Sequence, residues 1–250
     1  MFPPRHKSPK QELVNFFTRD RGLSRAQQRQ LKKISRSQSQ LGQDIFALAA
    51  AGFPKTGYFV EFGATDGISF SNTYFLEQEL GWKGILAEPA ESWHKSLIHN
   101  RTSIICLECV WSATGEKILF SETEDPVLSS VTEWKNEDFH SPARQNSRDY
   151  EVATVSLVDL LQRAEAPKDI AFLSIDTEGS EYAILEAFDF SKYHFGAIAI
   201  EHNFSDTRSK IRNLLIENGY VNVLTEYSNF DDWYIPAASP AETLRLFEIG

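Results

Sequence analysis

Short apolar runs alternate with amphipathic segments along most of the chain after residue 40. The runs are rich in β-branched and aromatic residues and end in glycine or a carboxylate, which is typical of buried strands. The segments between them carry apolar residues at helical spacing and close on glycine, which predicts helices. Strands are predicted at residues 57–63, 84–89, 103–108, 152–155, 170–176, 196–201, 220–225 and 232–236, and helices around 45–49 and at 71–81, 91–100, 156–163, 179–188 and 205–218.

This order of elements predicts the fold class. Strands that alternate with helices through short connections favour parallel pairing with right-handed crossovers. We therefore expect a doubly wound, mostly parallel α/β sheet with helices on both faces. In such a sheet, a ligand lies beyond the carboxyl ends of the strands, so the residues that follow each strand are the first candidates for a site.

Residues 112–150 interrupt the alternation. A turn at 112–115 precedes a short predicted strand at 117–121, and residues 129–150 are polar without a clear period. Long irregular connections in compact domains often cover an active site. The segment is therefore either a substrate-covering insertion or an ordered excursion. Trp134 within it is the tryptophan best placed to stack on a sugar ring.

The first 36 residues differ from the rest in charge. They hold ten Lys and Arg residues and two acidic residues, whereas the 250-residue chain as a whole has a net charge of −10. Their apolar residues are too few for a separate core. We therefore divide the chain into a basic, partly helical arm at 1–36 and a main domain at 37–250. A solvated tail is the simplest interpretation of the arm, and contact with a membrane, an anionic partner or the acidic domain is left open.

Composition excludes several classes of protein. The acidic main domain repels phosphates, so nucleic-acid binding is not expected. No apolar run reaches the roughly 20 residues of a membrane span, and the amino terminus lacks the apolar core of a signal peptide. Cys106 and Cys109 are too close together for a disulfide framework and lack the second pair of a zinc site. A reducing, cytoplasmic setting is expected.

Acidic residues stand at the carboxyl ends of four predicted strands. They are Glu61, Glu88, Asp176 and Glu201, and each follows an apolar run. Singly, such residues are usually helix caps or turn formers. Four of them at the same edge of a parallel sheet predict an acidic rim around a ligand site.

The first of these strands leads into a glycine turn at residues 63–67, with the sequence GATDG. Its small residues allow a ligand to approach the backbone, but it lacks the G-x-G-x-x-G pattern of a dinucleotide site. Glu88 follows 25 residues after Gly63, where a carboxylate can accept hydrogen bonds from both hydroxyls of a ribose. Together, the turn and Glu88 predict a cofactor that contains adenosine, and S-adenosylmethionine fits this description.

Several passages, taken in order, resemble the FkbM family of S-adenosylmethionine-dependent methyltransferases. The resemblance spans roughly residues 38–236 and is carried by residues 39–44 (SQLGQD), 58–67 (YFVEFGATDG), 71–77 (SNTYFLE), 81–89 (GWKGILAEP) and 175–181 (IDTEGSE). It implies the seven-stranded methyltransferase fold with an antiparallel last strand. It also implies methyl transfer to a hydroxyl oxygen of a small molecule, often a sugar or polyketide. The arm at 1–36 lies outside the resemblance.

The resemblance also implies roles for individual residues. Those expected to hold the cofactor are Glu61, Gly63 and Glu88, and those expected to line the site beside the transferred methyl group are Asp176, Glu178 and Glu181. Positions in the glycine turn, at the next helix start and after the third strand add further cofactor-binding candidates, namely Ala64, Asp66, Gly67, Asn72, Cys109 and Trp111.

Methyl transfer to an alcohol needs a base or a metal ion that acidifies the hydroxyl. His202, at a predicted strand end, is suited to act as a base near neutral pH, and a buried structural histidine is the alternative. Asp176, Glu201 and His202 follow neighbouring strands and can also converge on Mg²⁺, Ca²⁺ or Mn²⁺. The carboxylates at 176–181 have a simpler interpretation too, because a helix amino terminus stabilises negative charge.

A second class of function is left open. The chain could be a binding or trafficking protein that keeps the fold without catalysis. Such a degenerate copy is expected to lose carboxylates from the rim. Glu88 and the carboxylates of residues 176–181 are all present, which favours an enzyme.

Overall fold

A computed structural model of the protein describes residues 8–19, 22–123, 130–131 and 147–248. The helices are α1 Pro9–Thr18, α2 Arg25–Leu31, α3 Gln43–Ala50, α4 Tyr74–Leu80, α5 Glu91–Asn100, α6 Leu157–Arg163, α7 Glu181–Glu186, α8 Arg208–Glu217 and α9 Ala241–Leu246, with a 3₁₀ turn at Lys32–Arg36. The strands are β1 Tyr58–Phe62, β2 Lys83–Ala87, β3 Ile104–Cys106, β4 Cys109–Trp111, β5 Lys117–Thr123, β6 Ser130–Val131, β7 Ser147–Ser156, β8 Asp169–Ile170, β9 Phe172–Ile175, β10 His194–Phe195, β11 Ile198–Glu201, β12 Tyr220–Val223 and β13 Asp231–Pro236.

Seven of these strands form the central sheet, in the order β12-β13-β11-β9-β1-β2-β3. Strands β11, β9, β1, β2 and β3 pair in parallel, and β13 pairs antiparallel with both of its neighbours. The strand order reverses beside β1, so the chain winds outward in both directions from the middle of the sheet. The predicted fold class, a doubly wound and mostly parallel seven-stranded α/β sheet, is confirmed, as is the antiparallel last strand.

Alternate residues of each central strand face opposite sides of the sheet and build two cores. Phe59, Phe172 and Trp233 pack with α3, α4 and α9 on one side. Their neighbours in sequence, such as Val60 and Leu173, pack with α6, α7 and α8 on the other. Because both faces are covered, the strands read as continuous apolar runs, and polar side chains are displaced to the strand ends.

The amino-terminal arm packs against the sheet domain. Leu13, Val14 and Phe17 of α1 are buried in the same core as α3 and α9, and the Phe17 ring contacts Phe247 edge-on at 5.6 Å. Lys10 Nζ donates a hydrogen bond to the carbonyl of Ser37. The expectation of a solvated tail is therefore wrong for α1: its apolar residues are too few for their own core but complete the core of the main domain.

The predicted insertion contains more strand than its polarity suggested. Strand β7 begins at Ser147 and runs for ten residues, pairing with β4 on one side and β5 on the other. Tyr150, Val152 and Thr154 share one face of β7, with Glu151 and Ala153 on the other. Trp134 lies outside the described residues, so its predicted role in stacking stays a prediction.

Among the described residues, no helix combines the length and apolar character that a membrane span requires.

Candidate active site

A cleft lies at the carboxyl ends of β1, β2, β9 and β11. Its lining carries five carboxylic residues, Glu61, Glu88, Asp176, Glu178 and Glu201. The described residues that line it include no Lys, Arg or His. The acidic residues expected at the strand ends therefore line one surface, to which the described residues add no basic side chain.

Glu88 lies at the end of β2 with its carboxylate turned into the cleft. Its Oε2 accepts a hydrogen bond from Thr65 N, and its Oε1 accepts one from Ala90 N, both at 2.8 Å. Burial raises the pKa of Glu88 to about 7, and the negative charges of Asp176 and Glu122 act in the same direction. Each oxygen keeps a second lone pair for a ligand, which suits two neighbouring hydroxyl donors.

Glu61, at the end of β1, is fully engaged within the protein. Its Oε1 accepts from Asn72 N at 2.6 Å, and its Oε2 accepts from Ser71 Oγ and Thr73 Oγ1. Burial raises the pKa of this carboxyl, although nearby Arg101 opposes the shift. Glu61 therefore fixes the start of α4 and places Asn72 at the cleft.

Asn72 brings an unsatisfied polar atom to the cleft wall. Its Nδ2 donates to Ser174 Oγ at 2.9 Å, whereas its Oδ1 is buried and has no hydrogen-bond partner. Buried polar atoms in folded proteins are nearly always paired. The orphaned Oδ1 therefore marks a position where a ligand donor fits.

Three carboxylates converge at the ends of β9 and β11, on the side of the cleft away from Glu88. One oxygen each from Asp176, Glu178 and Glu201 lies within 4.8 Å of the others. Burial and the negative charges of Asp176 and Glu178 raise the pKa of Glu201 well above its usual value. Asn203 Nδ2 donates to Glu201 Oε2 at 2.8 Å. This group can bind a proton or a cation, since like charges at this distance in a buried site cannot all remain ionised.

The chain matches the methyltransferase FkbM domain model over residues 61–221. It belongs to the FkbM methyltransferase domain family. Within this FkbM domain, the match begins at the Glu61 of β1 and ends in β12, so it contains the whole acidic rim.

Two solved structures resemble this chain at low sequence identity. A precorrin-6y C5,15-methyltransferase from Geobacter metallireducens GS-15 is 13% identical, with a TM-score of 0.40, and covers 77% of this chain and 85% of its own. An O-methyltransferase from Bacillus cereus in complex with SAH is 15% identical, with a TM-score of 0.39, and covers 93% of this chain and 90% of its own. Among curated protein sequences, none matches this chain.

The FkbM domain brings together most residues singled out from sequence. Those that line the cleft are Glu61, Gly63, Asn72, Glu88, Cys109, Asp176, Glu178 and Glu201. Ala64, Asp66, Gly67, Trp111, Glu181 and His202 do not line it. Asp66 accepts hydrogen bonds from Ile68 N and Ser69 N inside its own turn. Glu181 accepts from Thr177 N and Gly179 N and so shapes the loop that carries Glu178.

His202 faces away from the three carboxylates. Its Nδ1 accepts a hydrogen bond from Phe204 N at 3.0 Å, and its Nε2 lies 3.9 Å from Asp232 Oδ1. Burial lowers the pKa of the imidazole, and the nearby Arg208 lowers it further. The structure thus places Glu178, rather than His202, with Asp176 and Glu201. A side chain at a strand end can turn to either face, and the sequence pattern carried no signal for the direction.

Both glycines of the turn at 63–67 are explained by protein contacts. A Cβ at Gly63 would lie 2.0 Å from the carbonyl oxygen of Asp176, and one at Gly67 would lie 2.6 Å from Cγ of Arg101. Both have left-handed backbone, with φ of 72° and 81°. The expectation that these glycines make room for a ligand is incomplete for Gly63, which also borders the cleft, and wrong for Gly67, which packs against α5.

Among the residues near the cleft that were not predicted as site residues, four stand out: Phe70, Phe120, Asp231 and Gln43. Phe70 and Phe120 line it, and the Phe70 side chain is 53% exposed. Asp231, on the antiparallel β13, pairs in register with Glu201 and accepts a hydrogen bond from Gln43 Nε2 at 2.8 Å. Gln43 lies in the motif at residues 39–44, but its contact with Asp231 follows only from the strand order, because 188 positions separate the two residues in sequence.

Proposed function

We propose that this protein is an S-adenosylmethionine-dependent O-methyltransferase acting on a hydroxyl group of a small molecule or a sugar. The observation that carries the proposal is that Glu88 and the Asp176–Glu178–Glu201 group line the same cleft. One wall offers acceptors for a nucleoside, and the other offers groups that can take a proton. Membership of a methyltransferase family supports the reaction class.

The cleft suits S-adenosylmethionine in three respects. The free lone pairs of Glu88 match the two ribose hydroxyls. The orphaned Oδ1 of Asn72 is an acceptor for an ammonium group such as that of the methionine portion. The five carboxylic residues and the absence of basic side chains from the described lining favour a cofactor with a positive sulfonium. Glu88, Asn72 and the turn at 63–67 are the residues that would hold it.

When bound, S-adenosylmethionine supplies a methyl group already activated by the sulfonium. The chain must then align the acceptor oxygen with that methyl at about 3–3.5 Å and remove the hydroxyl proton. We assign proton removal to the paired carboxyls of Asp176 and Glu201. A carboxylate whose pKa is raised toward neutrality is a stronger base than a solvent-exposed one, and it can hold the proton until the acceptor has left.

A divalent cation is a second way to activate the hydroxyl at the same place. Asp176, Glu178 and Glu201 would hold it, because three converging carboxylate oxygens within 4.8 Å suit Mg²⁺ or Mn²⁺. A bound cation would lower the pKa of a hydroxyl that binds to it. The effect of EDTA on turnover, followed by addition of Mg²⁺ or Mn²⁺, separates the two routes.

The proposal is tested by calorimetry with S-adenosylmethionine and by an acceptor panel. Glu88→Ala is expected to weaken binding by at least about 100-fold, because two hydrogen bonds to a charged acceptor are lost at about 1.5–3 kcal/mol each. Glu217→Gln, on an exposed position of α8, is the matched control and should bind as wild type does.

Formation of S-adenosylhomocysteine is then measured with sugars, phenols and aliphatic alcohols, and with amines as the contrasting class. Turnover with a hydroxylated acceptor supports O-methylation. Turnover with amines alone would remove the oxygen specificity. Absence of binding by the wild-type protein would remove the cofactor and leave a non-catalytic binding protein as the better description.

A further inference from the structure

The side of the cleft formed by Glu61, Thr65, Asn72 and Glu88 is called the cofactor wall below. One buried arginine outside the cleft connects the elements that build this wall. Arg101 immediately follows α5 and is 4% exposed. Its guanidinium contacts the turn at 63–67, the start of α4 and the body of α4. It is held between Glu77, whose Oε2 accepts from Arg101 Nε at 2.9 Å, and Glu61, whose Oε2 lies 3.8 Å from Nη1.

The remaining donors of Arg101 are directed at the loop between β1 and α4. Nη1 donates to the carbonyl of Gly67 at 2.9 Å and to Ser71 Oγ at 3.1 Å, and Nη2 donates to Thr73 Oγ1 at 2.9 Å. The neighbouring Asn100 Nδ2 donates to the carbonyl of Asp66 at 2.9 Å. The end of α5 therefore grips the loop at both ends, between residue 66 and residue 73.

The loop that Arg101 and Asn100 hold also carries two residues that line the cleft. The loop carries Thr65, whose N–H donates to Glu88, and Asn72, whose Oδ1 is the orphaned acceptor. The side chain of Arg101 also occupies the space in which a Cβ of residue 67 would lie. The second glycine of the turn is thus required by the arginine, and both belong to the same support.

We propose that Arg101 is the positioning residue of the cofactor wall: it holds loop 64–73 in the geometry that presents Thr65 and Asn72 to S-adenosylmethionine. The inference rests on the proposed function for the identity of the ligand. Lysine cannot replace arginine here, because four partners lie around a planar fork of donors and an ammonium offers a single point of charge. The positive charge itself, by contrast, is kept by lysine beside Glu61 and Glu77.

Arg101→Lys is the test, and Arg208→Lys is its matched control. Arg208 also pairs with a buried carboxylate, donating twice to Asp232 at 2.8 and 2.9 Å, but neither Arg208 nor Asp232 lines the cleft. Amide hydrogen exchange of the free protein is measured over residues 64–73, and the affinity for S-adenosylmethionine is measured by calorimetry. Both substitutions are expected to lower the melting temperature.

Only Arg101→Lys should accelerate exchange in loop 64–73 and weaken binding, by about tenfold or more. Unchanged exchange in this loop, or an equal effect of Arg208→Lys on loop and affinity, would overturn the proposal. If wild-type protein does not bind S-adenosylmethionine, the proposed function fails, and the exchange measurement alone decides whether Arg101 holds the loop.

Thr73→Val provides a second, milder variant should Arg101→Lys fold poorly. It keeps the volume of a buried side chain and removes the hydroxyl that links Arg101 to Glu61. Faster exchange in the loop and weaker binding are again expected, to a smaller degree. In the double variant the two losses should be less than additive, since both act on one network. Fully additive losses would show that the two residues act separately and would count against the proposal.

Discussion

The two walls of the cleft differ in how their carboxylates are partnered. On the cofactor wall, Glu61 and Glu88 accept hydrogen bonds from backbone N–H and hydroxyl groups of neighbouring loops. On the acceptor wall, Asp176, Glu178 and Glu201 face one another. The first wall is organised before any ligand arrives. On the second, three carboxyl groups lie close together, and a bound proton or cation would lower the repulsion between their charges. Side chains held by hydrogen bonds before the ligand arrives favour binding. Carboxyl groups held close together, at a cost in repulsion, favour proton transfer.

The largest effect should come from the acceptor wall. Asp176→Asn removes one member of the proton-accepting pair while keeping its size, and turnover is expected to fall by about 10³-fold. Affinity for S-adenosylmethionine, measured by calorimetry, should stay within a few-fold of wild type. A variant that keeps its turnover would show that the two walls do not divide binding from chemistry in the way the comparison suggests.

A substitution distant from both walls should change the stability of the fold without changing the affinity for S-adenosylmethionine. Phe17→Ala in α1 removes a fully buried ring that packs with Phe247, at a cost of about 3–5 kcal/mol in the free energy of unfolding. Thermal denaturation measures this loss. Once folded, the variant should bind S-adenosylmethionine with wild-type affinity. A small change in stability would mean that α1 does not pack on the domain.

The pH dependence of binding tests the cofactor wall more finely. The pKa of Glu88 in the free protein is about 7, and ionised carboxylate is the better acceptor for two hydroxyls. Binding should therefore release a proton, so affinity should rise from pH 6 to pH 8 by up to about tenfold per unit below pH 7. Calorimetry in buffers of different ionisation enthalpy detects that proton. Glu88→Gln should flatten the profile, and an affinity that falls with pH would mean that Glu88 acts as a protonated donor.

The same raised pKa has the opposite consequence for stability. The usual pKa of a glutamate is 4.5, and the unfolded chain has this value. Between pH 4.5 and 7, the folded protein therefore keeps a proton on Glu88 that the unfolded chain has lost. The contribution of Glu88 to stability is therefore fully present below about pH 4.5 and is lost as the pH rises to 7. Ligand binding and folding thus favour opposite ends of this pH range.

The smallest effect is expected for His202→Gln. The imidazole contacts Phe204 and Asp232 and does not line the cleft, so turnover should remain within about threefold of wild type. Steady-state rates over pH 6–8 provide the measurement. A loss of turnover comparable to that of Asp176→Asn would indicate that His202 acts as the general base.

Periodicity predicted the sheet and the rim because both depend on local sequence. Apolar runs locate the central strands, and parallel pairing then brings Glu61, Glu88 and Asp176 to one edge. The direction of a side chain beyond the strand end depends on packing, which is why His202 was misplaced and Glu178 was found beside Glu201. Support from distant residues was also hidden. The sequence around Arg101 gives no sign that this residue supports the loop between β1 and α4. The sequence around Asp231 likewise gives no sign that this residue lies beside Glu201.

Gly63 has a consequence for how such an enzyme can diversify. The bare α-carbon of Gly63 leaves no gap to the backbone of Asp176, since a methyl group there would overlap the carbonyl oxygen at 2.0 Å. The end of β1 and the end of β9, which leads into Asp176, are thereby held at a fixed spacing. The loop after β9 could be redesigned for a new acceptor by changing its side chains. Any such redesign must keep the spacing between Gly63 and the Asp176 carbonyl, because a change there would move both sides of the cleft relative to each other.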